Sequence, residues 1–394
     1  MRFDIHLRNS VRQRLSDLSS RMAEWEVRAT PPEDLFARLV NVIQPFPHTT
    51  QCEDLVIGGV DGSGEFPVVA YGDSFVYTTL SAGALYKSDP IHGLREIPTS
   101  FGTTVEFTWL TGAEQQRKAA LLETFGRLTG HSVDEVIEHS DYSALRRAGR
   151  VSTESVRNDL IIPPAHDAGN VGLQLRTTAE LASALRLIEE APLGAIVLTD
   201  GTMTLPFVQR RRQSLFFEHL RRFCCVRARE KGVIFGALSK SHGLPSGLRI
   251  EEAARDKLGR QDAEHWYMRM PDREVDGWSP TPVDGPRVPP AGAITYLVRL
   301  HRNTPIMRLD LDAHYWLEAY STPANEQRLF QHLDYAGHDQ RCFGYPYPIK
   351  AAHDRASLST QERVALRKQV IDAAVGAGMK RTLFRDAAQA TGHA

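Results

Sequence analysis

The sequence predicts an α/β protein whose mixed β-sheet is flanked by helices. Short apolar runs such as LVIGGV (55–60) and AIVLT (195–199) are typical of buried strands. Strands come first along the chain and then alternate with amphipathic helical segments, an order that favours helices packed on a mixed sheet. The chain has 394 residues, a length that is consistent with one large elaborated domain or with two domains.

Residues 1–45 are predicted to form a helical N-terminal segment. Apolar residues recur there at spacings of three or four in two groups, Val11, Leu15, Leu18 and Met22, then Leu35, Leu39 and Ile43. The segment either caps the larger domain or docks on a partner or a second copy. The pattern alone does not choose between these two interpretations.

The next part of the chain has the pattern of a hairpin followed by helices and strands. FPVVAYG (66–72) and SFVYTTLSAGALY (74–86) flank a Gly-Asp turn, which predicts an antiparallel hairpin or meander. A mixed helical stretch covers roughly 113–190, and a second helix is predicted from about 207 to 230. The apolar run VIFGALSKS (233–241) predicts a further buried strand.

A polar segment rich in proline and glycine interrupts this alternation at 259–292, and it predicts an insertion or a long loop. Two strands are predicted after it, from AITYLVRL (293–300) and IMRLDL (306–311).

The C-terminal region begins a helix at Ser359-x-x-Glu362, which is a capping-box pattern. We expect a main domain that spans 50–375 and a C-terminal tail at 376–394.

Composition places the chain among soluble globular proteins. Hydrophobic residues make up 42% of it, which is enough for a large core. The net charge of -1 gives no general affinity for nucleic acid, so a DNA-binding protein of this composition must concentrate its basic residues locally. None of the four cysteines lies in a C-x-x-C pair, and no apolar signal core or 18-residue apolar stretch occurs, so we expect a cytoplasmic protein with no membrane association.

Two strands are each followed by an aspartate and a glycine, at Asp61-Gly62 and at Asp200-Gly201. Carboxylates at the ends of neighbouring strands can converge at one edge of a sheet and bind divalent cations through their oxygens. Two such ions can activate water and stabilise the leaving oxygen in phosphodiester hydrolysis. The alternative is that each Asp-Gly pair only marks a turn, but its repetition directly after apolar runs favours a metal site.

A third carboxylate is expected from the helix that precedes Asp200. Glu180 is the leading candidate, with Glu189 and Glu190 as competitors closer to the strand. Thr177-x-x-Glu180 is also a capping-box pattern, so Glu180 could serve only to begin a helix. Spacing alone leaves all three glutamates open.

Three further features could contribute to the chemistry. Lys240 follows a strand in Ser-Lys-Ser and could neutralise a phosphate, or it could be an ordinary exposed strand end. His353 follows a rigid aromatic-proline run and could ligate a metal or transfer a proton, or it could be a surface histidine. A basic stretch on the helix after Asp200 could follow a DNA backbone or form a solvated face, and it comprises Arg210, Arg211, Arg212, Arg221 and Arg222.

Taken in order, these motifs resemble those of the NurA nuclease family. The Asp-Gly-Ser at Asp61 matches the family's first metal-binding motif, and the Thr-Asp-Gly at Asp200 matches the second. Glu180 is the best positional match to the glutamate that the intervening helix supplies in the family. The Ser-Lys-Ser at Lys240 and the Gly-Tyr-Pro-Tyr-Pro…Ala-His run that ends at His353 are also typical of it.

The resemblance spans roughly residues 50–375 and implies an RNase H-like fold. It implies a Mn²⁺-dependent DNA nuclease, with Mg²⁺ as the alternative ion, that acts as a 5′ to 3′ exonuclease and single-strand endonuclease. It also implies a homodimer that docks on a hexameric HerA-type ATPase and processes DNA ends, in repair or in defence against phage. Two ions per site would be held by Asp61, Glu180, Asp200 and His353, and phosphate would be contacted by Lys240.

Two other functions remain open from the sequence. One is a metal-dependent RNase or phosphohydrolase on the same fold. The other is an inactive DNA clamp or scaffold, which the presence of both Asp-Gly corners argues against because a scaffold needs neither carboxylate.

Overall fold

The computed structural model describes residues 5–28, 37, 40–64, 67–142, 153–158, 168–203, 215–241, 247–262, 264–271, 292–320 and 322–386. The strands are β1 Gln44–Pro45, β2 Val56–Ser63, β3 Val69–Tyr71, β4 Ser74–Asp89, β5 Gly93–Ile97, β6 Thr104–Leu110, β7 Ile196–Asp200, β8 Ile234–Ser239, β9 Trp266–Arg269, β10 Ala293–Arg299, β11 Met307–Asp312, β12 His338–Asp339, β13 Cys342–Phe343 and β14 Phe384–Asp386. The helices are α1 Ile5–Arg28, α2 Glu114–Thr129, α3 Val133–His139, α4 Thr153–Asn158, α5 Ala168–Glu190, α6 Leu215–Lys231, α7 Gly247–Asp262, α8 Ala313–Ala319, α9 Pro323–Gly337, α10 Tyr347–Ala356 and α11 Thr360–Gly376.

A large mixed sheet of twelve strands organises the described residues. Strand β2 pairs in parallel with β7 and antiparallel with β4, and β7 pairs in parallel with β8. Strands β11, β10 and β9 extend the sheet beyond β8 in antiparallel pairs, while β5 and β6 pair with β4. The predicted α/β class with a mixed sheet and flanking helices is therefore confirmed, and the RNase H-like assignment stays a prediction.

The central strands are buried on both faces, and their alternating residues enter two different cores. Val197 packs in a core with α5 and α6, whereas its neighbours Ile196 and Leu198 pack in a second core with α9 and α10. Successive side chains of a strand point to opposite faces, so continuous apolar runs are what a doubly covered strand requires. The apolar runs predicted as buried strands are explained by this arrangement.

Helix α10 lies directly on the backbone of β2 at Gly59. A Cβ atom at Gly59 would lie 2.2 Å from the backbone nitrogen of Ile349, closer than any real Cβ contact. The helix is also held at its far end, where the Ser63 hydroxyl donates to the Ala356 carbonyl over 2.6 Å. Since β2 carries Asp61 and α10 carries His353, this contact sets how the two side chains meet.

The loop predicted at 259–292 is wrong in part, because strand β9 lies within this range. Trp266 and Met268 are buried because β9 pairs antiparallel with β10, so residues 266–269 belong to the sheet. Residues 272–291 lie outside the described part of the chain.

The predicted N-terminal segment and the predicted C-terminal tail each contribute a strand to the large sheet. Strand β1 pairs with β9, and Ile43 beside it is buried. In the predicted tail, β14 pairs with β3, so the sheet extends to residue 386. Helix α1, in contrast, is exposed throughout residues 8–24.

None of the described helices is both long enough and apolar enough to cross a bilayer.

We predict that Gly59→Ala destabilises the protein by about 1–3 kcal/mol, because the added methyl group must push α10 away from β2. Urea denaturation followed by circular dichroism measures the change. Gly102→Ala is the matched control, since a Cβ there has nothing within 4 Å. Equal midpoints for the two variants would contradict the close approach of helix and strand.

Candidate metal centre

Asp61 lies inside β2, two residues before its end, rather than after the strand as predicted. Its side chain is buried, and Oδ1 accepts a hydrogen bond from the backbone N–H of Gly62 over 2.7 Å. The Nδ1 atom of His353 lies 2.6 Å from Oδ2. Residues 57, 59 and 61 share the face of β2 that α10 covers, which is why the two side chains meet.

Asp200 is the last residue of β7, at the edge of the sheet where β2 also ends. The Tyr345 hydroxyl lies 2.8 Å from its Oδ1 and 3.0 Å from the Leu238 carbonyl oxygen, both of which are acceptors. Burial, followed by the charge of Asp200, raises the pKa of Tyr345 well above its usual value, so the phenol stays protonated and donates. Tyr345 thereby fixes the orientation of the Asp200 carboxylate.

These side chains form one cluster. Asp61, Asp200 and His353 each offer a ligand atom, and the three atoms lie within 4.8 Å of one another. Carboxylate oxygens and an imidazole suit a hard or borderline divalent cation. The burial of Asp61 beside a second carboxylate adds to this fit, because such a pair is stabilised when a cation lies between its members.

Glu180 approaches the same place from the opposite face of β2. Helix α5 begins at Ala168, so Thr177 and Glu180 lie in its interior and the capping-box interpretation is wrong. A Cβ atom added to Gly62 would lie 3.4 Å from the Glu180 Cβ, so the helix and strand are in contact here. Burial, the charge of Asp61 and that of Asp200 raise the pKa of Glu180 well above its usual value, although Arg176 opposes this.

The competing glutamates lie at the other end of α5 and are engaged elsewhere. Glu189 pairs with Arg227 at 2.6 Å and with Lys231 at 3.2 Å. Glu190 accepts hydrogen bonds from the backbone N–H and the hydroxyl of Ser100. Of the three candidates, Glu180 is therefore the one that faces Asp61 and Asp200.

Two basic side chains balance the acidic cluster. Arg176, one turn before Glu180 on α5, places Nη2 3.5 Å from Asp61 Oδ1. The Nζ atom of Lys240 lies 4.0 Å from Asp200 Oδ2 and 4.5 Å from the centre of the Tyr345 ring. Lys240 is more than half exposed, so its ammonium can contact a bound anion as well as Asp200.

The cluster opens into two cavities that share Arg176. One, of about 470 Å³, is lined by Asp61 and His353 together with Arg363 and Arg367 of α11. The other, of about 320 Å³, is lined by Glu180 and Asp200. A ligand in the first cavity would therefore meet both the acidic cluster and cationic side chains.

The prediction of an exposed basic face on helix α6 is wrong for the two described arginines of that face. Arg221 and Arg222 are buried rather than solvated. Arg222 pairs with Asp141 at 2.6 Å and with Asp312 at 2.7 Å, and Arg221 pairs with Glu218 at 2.9 Å. A buried guanidinium requires such partners, and these arginines stabilise the fold rather than follow a polyanion.

The other predicted DNA contacts, Arg210, Arg211 and Arg212, lie outside the described residues. Sequence reasoning did not single out Tyr345, Arg176, Arg363 or Arg367 as functional residues. Tyr345 could have been found, since it belongs to the aromatic-proline run that leads to His353. The three arginines carry no local signal, because what places them is the packing of α5 against β2 and of α11 against β3.

Comparison with known proteins identifies the fold of this chain. No protein-family model and no curated protein sequence matches the chain. Among solved structures, the NurA nuclease from Sulfolobus solfataricus aligns with a TM-score of 0.51 at 12% identity, covering 94% of this chain and 98% of that one. The chain has the fold of that nuclease. The predicted resemblance to NurA is thus confirmed as a likeness of fold, and activity has to be argued from the site.

Two further NurA structures also align along nearly the whole chain. A structure of NurA gives a TM-score of 0.41 at 11% identity, covering 95% of this chain and 99% of its own. NurA bound to dAMP and manganese gives 0.39 at 12% identity, covering 95% and 98%. These scores are too low to carry an inference about this chain.

We predict that Glu180→Gln stabilises the metal-free protein at neutral pH. The folded-state pKa of Glu180 is raised, so the wild type loses stability as pH rises from about 4.3, the ordinary glutamate pKa, through the folded-state value. Glutamine removes that loss. The stability difference between variant and wild type should be near zero at about pH 4 and grow with pH, as measured by thermal unfolding in EDTA.

Glu189→Gln on the same helix is the control of opposite sign. Although burial raises the pKa of Glu189, hydrogen bonds from Arg227 and Lys231 lower it overall. Its substitution should therefore destabilise the protein above about pH 4.3. The account of Glu180 is wrong if both glutamines change stability in the same direction.

Proposed function

We propose that this protein is a metal-dependent DNA nuclease. The observation that carries the proposal is the convergence of ligand atoms from Asp61, Asp200 and His353 within 4.8 Å of one another. They converge at one sheet edge of a chain that has the fold of a NurA nuclease. Carboxylates at such an edge, with an imidazole beside them, are suited to divalent cations that promote phosphodiester hydrolysis.

The ions of the proposed site are Mn²⁺, with Mg²⁺ as the alternative, and their number is two. Asp61, Asp200 and His353 would hold them. Glu180, whose raised pKa favours the protonated form, would become a further ligand once it loses its proton. Bound there, such ions supply Lewis acidity towards water and the phosphate. Because a cation must displace the Glu180 proton, metal affinity should increase as pH rises.

The remaining side chains of the site have positioning and binding roles. Tyr345 holds the Asp200 carboxylate by its hydrogen bond and keeps it from turning away from Asp61. Lys240, beside Asp200 and more than half exposed, would contact the scissile phosphate. Arg176 lies beside Asp61 and Glu180 and lines both cavities, so it would contact phosphate on either side of the cleavage point.

DNA rather than a small phosphoester is favoured by the shape and lining of the cleft. The cavity that holds Asp61 and His353 continues along α11 past Arg363 and Arg367. Guanidinium groups spaced along a helix can follow successive phosphates, and such contacts dominate DNA affinity. The 5′ to 3′ exonuclease and single-strand endonuclease activities belong to the proposal on the basis of the NurA-like fold.

We predict that Asp61→Ala abolishes Mn²⁺-dependent cleavage of linear DNA, with a rate at least 10²-fold lower, since removal of supporting residues around metal ligands already costs about 10–100-fold. The test titrates Mn²⁺ against single- and double-stranded DNA. DNA binding without metal should be retained, because Lys240 and the arginines remain.

Asp354→Asn is the matched control, since Asp354 is an exposed carboxylate on α10 that pairs with Lys350. It should cleave at the wild-type rate. Equal cleavage by Asp61→Ala and the wild type would overturn the assignment. Adding RNA and a phosphomonoester to the panel distinguishes the alternatives, because preferential hydrolysis of either identifies an RNase or a phosphohydrolase.

The proposal includes a homodimer that works with a hexameric HerA-type ATPase in DNA end processing or anti-phage defence. Helix α1 supplies a surface for such assembly. Its apolar stripe is exposed, with 55% exposure at Leu15 and 62% at Met22. An exposed stripe of large apolar side chains along a helix is typical of a contact with another chain.

We predict that deletion of residues 1–36 lowers the mass of the assembly in light scattering, with or without the ATPase, and leaves Mn²⁺ binding unchanged. The deletion must stop before residue 40, because Ile43 is in the core and Lys257 donates to the carbonyls of Val40, Asn41 and Ile43. Leu15→Glu should act as the deletion does, and Ser20→Glu on the same helix should not. Unchanged mass for the deletion and for Leu15→Glu would refute this role for α1.

A further inference from the structure

A second cluster of ligating side chains lies away from the acidic site. His48, His265, Asp334 and His338 each offer a ligand atom, and these four atoms lie within 4.8 Å of one another. His265 directly precedes β9, and strands β10, β11 and β8 separate β9 from the strand that ends in Asp200. At the usual strand spacing that separation is on the order of 20 Å, so this cluster is independent of the acidic site.

The cluster is assembled from three parts of the chain. His48 comes from the segment between β1 and β2, and His265 from the residue before β9. Asp334 lies in the last turn of α9, and His338, four residues later, is the residue that caps the helix. Positions i and i+4 of a helix project from one face, so both can face a single point.

The distances around Asp334 match those between the ligands of a tetrahedral ion. The Nδ1 atoms of His48, His265 and His338 lie 2.9, 3.3 and 3.0 Å from the Asp334 carboxylate oxygens. With metal–ligand bonds of about 2.0–2.1 Å, neighbouring ligands of a tetrahedral zinc ion are about 3.3 Å apart. The remaining pairs of ligand atoms lie within 4.8 Å of one another, so the rings would have to move by no more than about 1–2 Å to reach this spacing.

Two buried polar atoms of the cluster lack a well-formed hydrogen bond. Among the described residues, Asp334 Oδ1 and His265 Nδ1 form no hydrogen bond of good geometry, although Oδ1 lies 3.3 Å from His265 Nδ1 and 3.0 Å from His338 Nδ1. Asp334 is completely buried. Buried polar groups are nearly always satisfied in folded proteins, and a site that binds an ion is one recognised reason for an exception. Both atoms point into the cluster.

The donor set distinguishes this site from the acidic one. Three imidazoles and one carboxylate favour zinc among the common divalent ions, whereas sites of mainly oxygen ligands suit Mg²⁺ and Mn²⁺. His48 is 42% exposed, which gives an ion access from solvent, while the other three side chains are mostly buried.

We propose that His48, His265, Asp334 and His338 form a structural zinc site, which ties the segment before β2 to β9 and α9. All four coordination positions are filled by protein, as in structural rather than catalytic zinc sites. The site contributes to folding stability, because its ligands come together only in the folded chain. It also holds the Thr49 backbone, whose N–H donates to Asp334 over 2.7 Å.

The test uses the full chain, stripped with a chelator and then titrated with ZnCl₂. Bound zinc is measured by elemental analysis after gel filtration, and Co²⁺ absorption reports the geometry. A variant with Asp61→Asn and Asp200→Asn removes the acidic site. We expect this variant to bind one equivalent of zinc, to show the visible absorption of tetrahedral Co²⁺, and to melt at a higher temperature with zinc than without it.

His48→Ala and His338→Ala, made in the same background, should weaken zinc binding at least tenfold and abolish the thermal shift. His92→Ala, an exposed histidine in the turn between β4 and β5, is the control and should bind like its parent. His48 is exposed, so its variant should fold even if His338→Ala does not. Zinc binding that is absent from the parent, or that survives in His48→Ala, would overturn the proposal and leave a hydrogen-bonded histidine cluster.

Discussion

The candidate metal centre depends on the direct contact between β2 and α10. Gly59 has no side chain, and the backbone of α10 occupies the place where a Cβ would lie. Because residues 59 and 61 share one face of the strand, the helix that covers Gly59 also brings His353 to Asp61. The same chain segment positions Tyr345, which enters from just before α10 and hydrogen-bonds to Asp200. One close approach thus orders three side chains of the site.

The second constraint is electrostatic. Glu180 faces Asp61 and Asp200 from α5, and its burial together with their negative charges raises its pKa. Arg176 opposes this shift from beside Asp61, and Lys240 lies 4.0 Å from Asp200. Such crowding reduces stability in the absence of a cation, and a bound cation reverses it. Cation binding therefore stabilises this arrangement of carboxylates, which apolar packing alone would not favour.

The parts that could be predicted from the sequence are those with a local signal. Apolar runs identified the central strands, since burial on both faces leaves no polar alternation, and Asp61 and Asp200 followed from them. The predictions that were wrong concern residues whose interaction partners are distant in the chain. Arg222 looked solvated because its acidic partners, Asp141 and Asp312, are 81 and 90 residues away. The capping pattern at Thr177 was misleading because packing extends α5 in the N-terminal direction, so the helix begins more than two turns before Thr177.

The two proposed metal sites differ in their donor atoms, and this difference affects which ion each would select. Zinc binds most sites of nitrogen and oxygen ligands more tightly than manganese does, so affinity alone would put zinc in both. The acidic site counters this with carboxylates and a single imidazole, while the second cluster offers three imidazoles around Asp334. Zinc should therefore fill the histidine cluster first, and only its excess should compete at the acidic site. With Mn²⁺ in the acidic site as proposed, low zinc concentrations should stabilise the fold and leave DNA cleavage intact, whereas higher concentrations should inhibit it.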